Sequence, residues 1–188
     1  GGLTQRGFEI AGRTAFTFLP GPLQYLGGGF NYSYTESNEE TRDIDLFTNT
    51  ALPPRSQSKY YYNVNLWYDD GKLNARLAYQ RRDIFFDLTE ASGQNRIPSS
   101  AGIDGATAAS YFKYISPVYK NGTENLDARA SYAIMPKLQL FIEGKNLLNT
   151  SIDKYTPDQF RIIGGDTPYM YDSLFSGRTF YFGIIADL

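Results

Sequence analysis

The chain contains neither cysteine nor histidine. That double absence removes thiolate nucleophiles, Ser-His-Asp triads, thiolate zinc sites and imidazole acid-base chemistry together. Carboxylate-only catalysis is what survives. The lack of cysteine is compatible with an oxidising compartment. Excess positive charge is also missing: 18 Lys and Arg against 20 Asp and Glu give a net charge of −2. With a pI near 5.2, the chain has no general basic field for nucleic acid. No run of about 18 apolar residues occurs, which excludes a transmembrane helix but not a membrane protein built of strands. In such a protein water-facing residues dilute the hydropathy, and a mean hydropathy of −0.41 fits that class. No charged segment followed by an apolar stretch opens the chain, so a secreted protein with this sequence is expected to be a mature form or a fragment.

What the chain has instead is alternation. Its 188 residues, 41% hydrophobic and 20% charged, suit an ordered domain, and period-two patterning predicts seven strands. Phe8, Ile10, Gly12, Thr14, Phe16 and Phe18 alternate with Glu9, Ala11, Arg13, Ala15 and Thr17. The same pattern recurs from Phe30 to Thr35, Tyr60 to Asp69, Leu73 to Gln80, Leu126 to Ile134, Leu138 to Lys145 and Gly177 to Leu188. In most of these one face is apolar and the other wettable. The chain also carries 16 Tyr and 13 Phe, and tyrosines near strand ends suit a membrane-water boundary, where the ring sits among acyl chains and the hydroxyl in headgroup water.

Between these strands the connections alternate in length. Leu19 to Gln24, Asp69-Asp70-Gly71 and Met135-Pro136-Lys137 are short and carry turn chemistry; Ser37 to Arg55, Asp87 to Gly122 and Thr150 to Ser176 are long. Outer-membrane barrels sort their connections this way, with short periplasmic turns and long extracellular loops. In that orientation the first and last strands run the same way, and the first needs an earlier neighbour. Seven strands with two open edges would leave backbone groups unpaired in hydrocarbon, so further strands on another stretch of polypeptide are expected.

The segment Ile142-Glu143-Gly144-Lys145-Asn146-Leu147-Leu148-Asn149, followed after a loop by Gly177-Arg178-Thr179-Phe180, resembles the last two strands of TonB-dependent outer-membrane receptors. Gly7-Phe8-Glu9-Ile10, Phe18-Leu19-Pro20-Gly21 and Asn31-Tyr32-Ser33-Tyr34-Thr35 resemble barrel strands of that family in the same order. The family motif falls on Asn146, Leu147, Asn149, Gly177 and Arg178. The family usually ends in Phe, whereas this chain ends Ala186-Asp187-Leu188. The resemblance implies an all-β, antiparallel transmembrane barrel, with residues 1–188 as the C-terminal sector of 22 strands and the plug domain absent. It further implies a Gram-negative outer-membrane transporter without enzymatic activity or cofactor. Its partners would be outer-membrane lipid, the plug and remaining strands, the inner-membrane TonB energy-transducing complex reached through the missing N-terminal part, and a nutrient ligand.

Two sets of candidate residues follow. Asp158, Arg161, Asp166, Tyr169 and Tyr171 combine charge with aromatic stacking surface in a long connection and are candidates for ligand contact; a solvated loop is the plainer reading. Arg13, Arg76, Arg82, Arg129, Glu143 and Lys145 fall on the polar phase, where they would face a lumen or plug, or simply keep that face wet. Asp69-Asp70 before Gly71 reads as hairpin chemistry rather than a metal site, Asn121-Gly122-Thr123 as a turn, and Gly27-Gly28-Gly29 as relief of crowding. Two other architectures suit the same pattern: a small eight-stranded outer-membrane barrel acting as anchor or adhesin, with a strand hidden in Asp87 to Gly122 or Thr150 to Ser176, and a soluble carbohydrate-binding β-sandwich.

Overall fold

Strands form wherever alternation runs between turn residues. A computed structural model describes residues 2–39, 44–45, 50–90, 116–156 and 169–186, and within them the chain is all-β and antiparallel, with no α-helix. The strands are β1 (Leu3–Ala15), β2 (Leu26–Glu39), β3 (Ile44–Asp45), β4 (Thr50–Ala51), β5 (Tyr60–Asp69), β6 (Leu73–Arg82), β7 (Phe85–Glu90), β8 (Ser116–Lys120), β9 (Thr123–Met135), β10 (Leu138–Lys145), β11 (Ser151–Thr156), β12 (Tyr169–Phe175) and β13 (Thr179–Ala186).

The seven strands expected from alternation form one open sheet in the order β1-β2-β5-β6-β9-β10-β13. Each pairs with its predecessor in this series, so successive connections leave from opposite ends of the sheet, the short ones at one end and the long ones at the other. The β5–β6 connection shows the expected turn chemistry. Gly71 takes φ 85°, and Asp70 Oδ1 accepts the backbone N–H groups of Lys72 and Leu73 at 2.9 and 2.7 Å. Those bonds hold the Asp70 carboxyl below the ordinary carboxylate range. The first strand starts earlier than the pattern implied, at Leu3, and also stops earlier. It ends at Ala15, and Phe16 and Phe18 lie in a turn where Leu19 N–H donates to Phe16 O at 2.9 Å. Pro20 and Pro22 have no N–H to continue a ladder, and Gly21 at φ 59° leads into a 3-10 turn, Gly21–Tyr25.

Two of the long connections are not plain loops. Strands β7, β8, β11 and β12 form a second sheet ordered β12-β11-β8-β7, matching the order β13-β10-β9-β6 of the strands they extend. This outer leaf continues four wall strands past breaks at 83–84, 121–122, 146–150 and 176–178. Asn121-Gly122, read as a turn, is one of these breaks, and the chain runs on through it from β8 to β9. The described parts of Asp87 to Gly122 and Thr150 to Ser176 therefore extend existing strands and supply no eighth strand to the wall.

The location of buried apolar side chains separates the two sheets. Among the described residues these are Leu52, Phe85, Phe86 and Val118, all in the outer leaf or the segment beside it, where Ser56 N–H donates to Phe86 O at 2.7 Å. The large sheet has no such core. Its apolar face runs in register through rows such as Leu66, Leu77, Ala128, Gly144 and Phe180, and it is open: Phe182 is 87% exposed, Ile184 66% and Phe180 61%.

On the polar face, glycine makes room for rings. Gly27 lies opposite Trp67, and a Cβ at Gly27 would come within 2.2 Å of the indole. The Arg13 guanidinium covers the same indole at 4.7 Å. Gly183 receives the Phe141 ring in the same way. Replacing Gly27 by Val should destabilise the sheet by about 1–3 kcal/mol through overpacking. Trp67 is the single tryptophan of these 188 residues, so once any tryptophans elsewhere in the protein are replaced its fluorescence should shift to the red as the ring is displaced; an unchanged spectrum would contradict this packing.

Candidate functional site

Even register carries the wettable residues of all seven strands onto one face. One row runs Gly27, Trp67, Arg76, Arg129, Glu143, Tyr181, and the next runs Arg13, Gly29, Asn65, Ala78, Asp127. A third runs Ala11, Asn31, Asn63, Gln80, Asn125. Arg13, Arg76, Arg82, Arg129, Glu143 and Lys145 thus share one face, as their phase in the sequence required. Between the rows lies a cleft of about 650 Å³. Its floor is richer in amides than in charge, with Asn31, Asn63, Asn65, Gln80 and Asn125 all contributing. These amides are on the wettable phase of the sequence, but nothing in a single strand shows that they converge.

Three of the charged residues on this face, Arg129, Glu143 and Lys145, engage one another. Glu143 takes Lys145 Nζ at 3.3 Å and, more loosely, Arg129 Nη1 at 3.8 Å. Arg129 lies over Phe141 and Lys145 over Tyr181, each at 5.2 Å. Asn31 donates to Glu9, and Gln80 donates to the Tyr61 hydroxyl, which in turn donates to Asn63. Such exposed pairs contribute little to stability; they keep the face wettable and ordered. Arg76 lines the cleft with no ion pair among the described residues. Arg82 plays a different part. Its Nε and Nη2 donate to Ser58 Oγ and Ser56 O at 2.8 and 2.7 Å, and its guanidinium lies 4.0 Å from the Phe85 ring, so it ties the β4–β5 connection to the leaf.

The residues that carry the resemblance, Asn146, Leu147, Asn149, Gly177 and Arg178, meet at the break between wall and leaf. Asn146 and Asn149 adopt φ 52° and 57°, and Gly177 adopts 71°, a region that Asn and Gly tolerate best. Asn146 Nδ2 donates to Thr150 O, Ser176 Oγ and Gly177 O at 3.0 to 3.2 Å, and its Oδ1 accepts Thr150 N–H at 2.9 Å. Its own N–H donates to Asp127 Oδ1 at 2.9 Å. Leu147 N–H donates to Leu126 O, and Leu147 O accepts Arg178 Nε, both at 2.8 Å. One asparagine side chain therefore joins two breaks that lie 30 residues apart in sequence. The motif is a joint.

Above the joint, residues from the two longest connections interlock. Asp87 takes Lys154 at 3.1 Å and Lys120 at 3.5 Å, and Tyr119 stacks on Tyr155 at 6.2 Å. Asp153 accepts from Ser173, Ser151 and Asn121. The Ser173 hydroxyl, and after it those of Ser151 and the Asn121 amide, hold the Asp153 carboxyl below its ordinary range against the opposing effect of burial. Burial, with Asp83 nearby, pushes the Tyr155 phenol up. Of the ligand-contact candidates, Asp158, Arg161 and Asp166 lie outside the described residues. Tyr169 opens β12 opposite Thr156, and Tyr171 is the extra residue where the β11–β12 register shifts.

No protein-family model matches the chain, and no curated protein does. Among the described residues no group of side chains suits a metal ion.

Two expectations follow from the joint and the leaf. Asn146→Ala loses the side-chain bonds and places alanine at positive φ, and should cost about 2–3 kcal/mol in chemical denaturation; Asn146→Gly, which keeps only the backbone freedom, should fall between the two. Because Asp153 has a lowered pKa when folded, its contribution is complete above the unfolded carboxylate range and is lost as pH falls through the folded value. Near-UV circular dichroism of the stacked tyrosines should weaken on acidification, and Asp153→Asn should flatten that dependence. Identical acid profiles for parent and variant would contradict the assignment.

Proposed function

We propose that this chain is the C-terminal part of the wall of a TonB-dependent active-uptake receptor in a Gram-negative outer membrane. It is a transporter segment and has no enzymatic role. The observation that carries the reading is the open apolar face of the seven-stranded sheet. Contiguous apolar surface of this extent marks contact with protein or lipid. Strands of 8 to 14 residues, at about 3.3 Å per residue and a tilt of about 40°, rise roughly 20–35 Å, a range that brackets an apolar band about 25 Å tall.

On this reading the two open edges, β1 and β13, pair with the remaining strands of a 22-stranded barrel, and the amide-rich polar face looks into the lumen. There the plug packs near Arg13, Arg76, Arg129, Glu143 and Lys145. The outer leaf and the connections it carries, including Asp158, Arg161, Asp166, Tyr169 and Tyr171, stand on the extracellular side, where a small nutrient ligand is captured. The plug, and with it the contact to the inner-membrane TonB complex, belongs to polypeptide preceding these strands. A small eight-stranded barrel fits less well, because the described parts of the long connections extend wall strands. A soluble sandwich fits less well because no second layer covers the apolar face among the described residues.

Two adjacent substitutions test the reading. Leu77 and Ala78 sit mid-strand in β6 on opposite faces. In the full-length protein, Leu77→Arg should cost about 2–4 kcal/mol and impair barrel assembly, followed as heat-modifiable gel migration, because it places a charge near the bilayer midplane. Ala78→Arg should be tolerated. Equal tolerance of both, or a full-length protein that stays monomeric in water without detergent, would refute the proposal.

A further inference from the structure

The apolar face is not uniformly filled. Where rows cross β6, β9 and β10, the side chains shrink to Ala75, Ala128, Ala130 and Gly144, and an open trough of about 470 Å³ results. Leu66 and Leu77 wall it on one side, and Ile142, Leu147 and Phe180 on the other. A bilayer wall gains nothing from such a hollow unless something apolar and slender lies in it. The end of the trough toward the long connections is not apolar. Arg178 stands on the same face of β13's line as Phe180, two residues before it, and its Nε bonds Leu147 O, so the guanidinium is fixed beside a trough wall. Arg178 is exposed, and its two terminal nitrogens have no partner among the described residues. On this face of β9, two strands away in the sheet, the Glu124 carboxylate is held by Arg81 at 2.8 Å.

The level of Arg178 agrees with a headgroup region. Its row continues from Tyr79 and Leu126, and Tyr62, Arg81 and Glu124 form the next row outward. Tyrosine rings and paired charges of this kind collect where acyl chains give way to headgroups. A fixed cation at that depth, directly above an apolar hollow, is complementary to one molecule: an anionic membrane lipid with its phosphate on Arg178 and one acyl chain along the trough. Arginine suits phosphate because its planar donors bind two oxygens at once.

We infer that the trough and Arg178 form a binding site for a phosphate-bearing anionic lipid on the outer surface of the wall. This rests on the membrane reading above and names a specific lipid contact within it. The site would anchor the joint between wall and leaf to the surrounding leaflet, because Arg178 also closes that joint through Leu147.

The full-length protein in nanodiscs of mixed phosphatidylglycerol and phosphatidylcholine provides the test, with lipid retained after transfer to detergent counted by native mass spectrometry. The parent should retain phosphatidylglycerol in preference. Arg178→Gln should lower that retention about fivefold, the effect of one interfacial cation. Ala128→Phe, which fills the floor and leaves the charge intact, should lower retention of both lipids. Arg178→Lys should keep most of the preference; a merely structural arginine would make Lys and Gln alike. Equal retention of the two lipids by the parent, or parent-like retention by both Arg178→Gln and Ala128→Phe, overturns the inference while leaving a heat-modifiable, membrane-inserted protein and the proposed function untouched. A protein that does not enter bilayers at all overturns both.

Discussion

The cross-strand register of the large sheet is the constraint on which the other features depend. Side chains alternate with period two, so shifting any one strand by a single residue would send its apolar residues to the polar face and its arginines to the apolar one. Apart from one shift at Leu138/Gln139 beside the β9–β10 hairpin, seven strands hold one even register from Phe8 to Ile184, and the result is a wall with two chemistries. Each local device bears on that register. Rings folded over Gly27 and Gly183 pin pairs of strands, Asp70 fixes the length of one hairpin, and the Asn146 side chain ties the break after β10 to the break before β13.

The boundary marked by the strand breaks separates two kinds of structure. Below it the sheet is open on both faces and its apolar side chains are exposed; above it the leaf has a small dry core, ion pairs that bridge two connections, and a carboxylate bonded from three directions. A wall that relies on hydrocarbon for its solvent needs no core of its own. The leaf does have one, built from Phe86, Val118 and Leu52. The contrast supports reading the two regions as occupying different media.

Much of the wall was legible from residue order because its signal is local. Alternation fixes which side chains share a face, and Asp-Gly and Pro-Gly fix where strands turn. Phe16 and Phe18 misled because they keep the period where the chain already turns, Leu19 N–H closing on Phe16 O just ahead of Pro20 and Pro22. The leaf was not legible. Its strands are 5 to 7 residues long, and bulges at Asp87 and Tyr171 break their period. The joint was visible as a resemblance only: Asn146 finds Gly177 across 31 residues, and no spacing rule announces that pairing. For the same reason the amides that converge on the polar cleft could be assigned a face but not a place.

The central claim is that lipid covers one face of this sheet and water the other. The chain has no cysteine, so single cysteines can be placed along β13 of the full-length protein in liposomes, once any cysteines elsewhere in it are replaced. Each is tested for reaction with a water-soluble maleimide and, when carrying a fluorophore, for quenching by a lipid-phase quencher. The expected result alternates: positions 179, 181 and 185 react from water, and positions 180, 182 and 184 are quenched from the acyl region. Positions 180, 182 and 184 shielded from both reagents would show that protein, and not lipid, covers the apolar face, and would contradict the account.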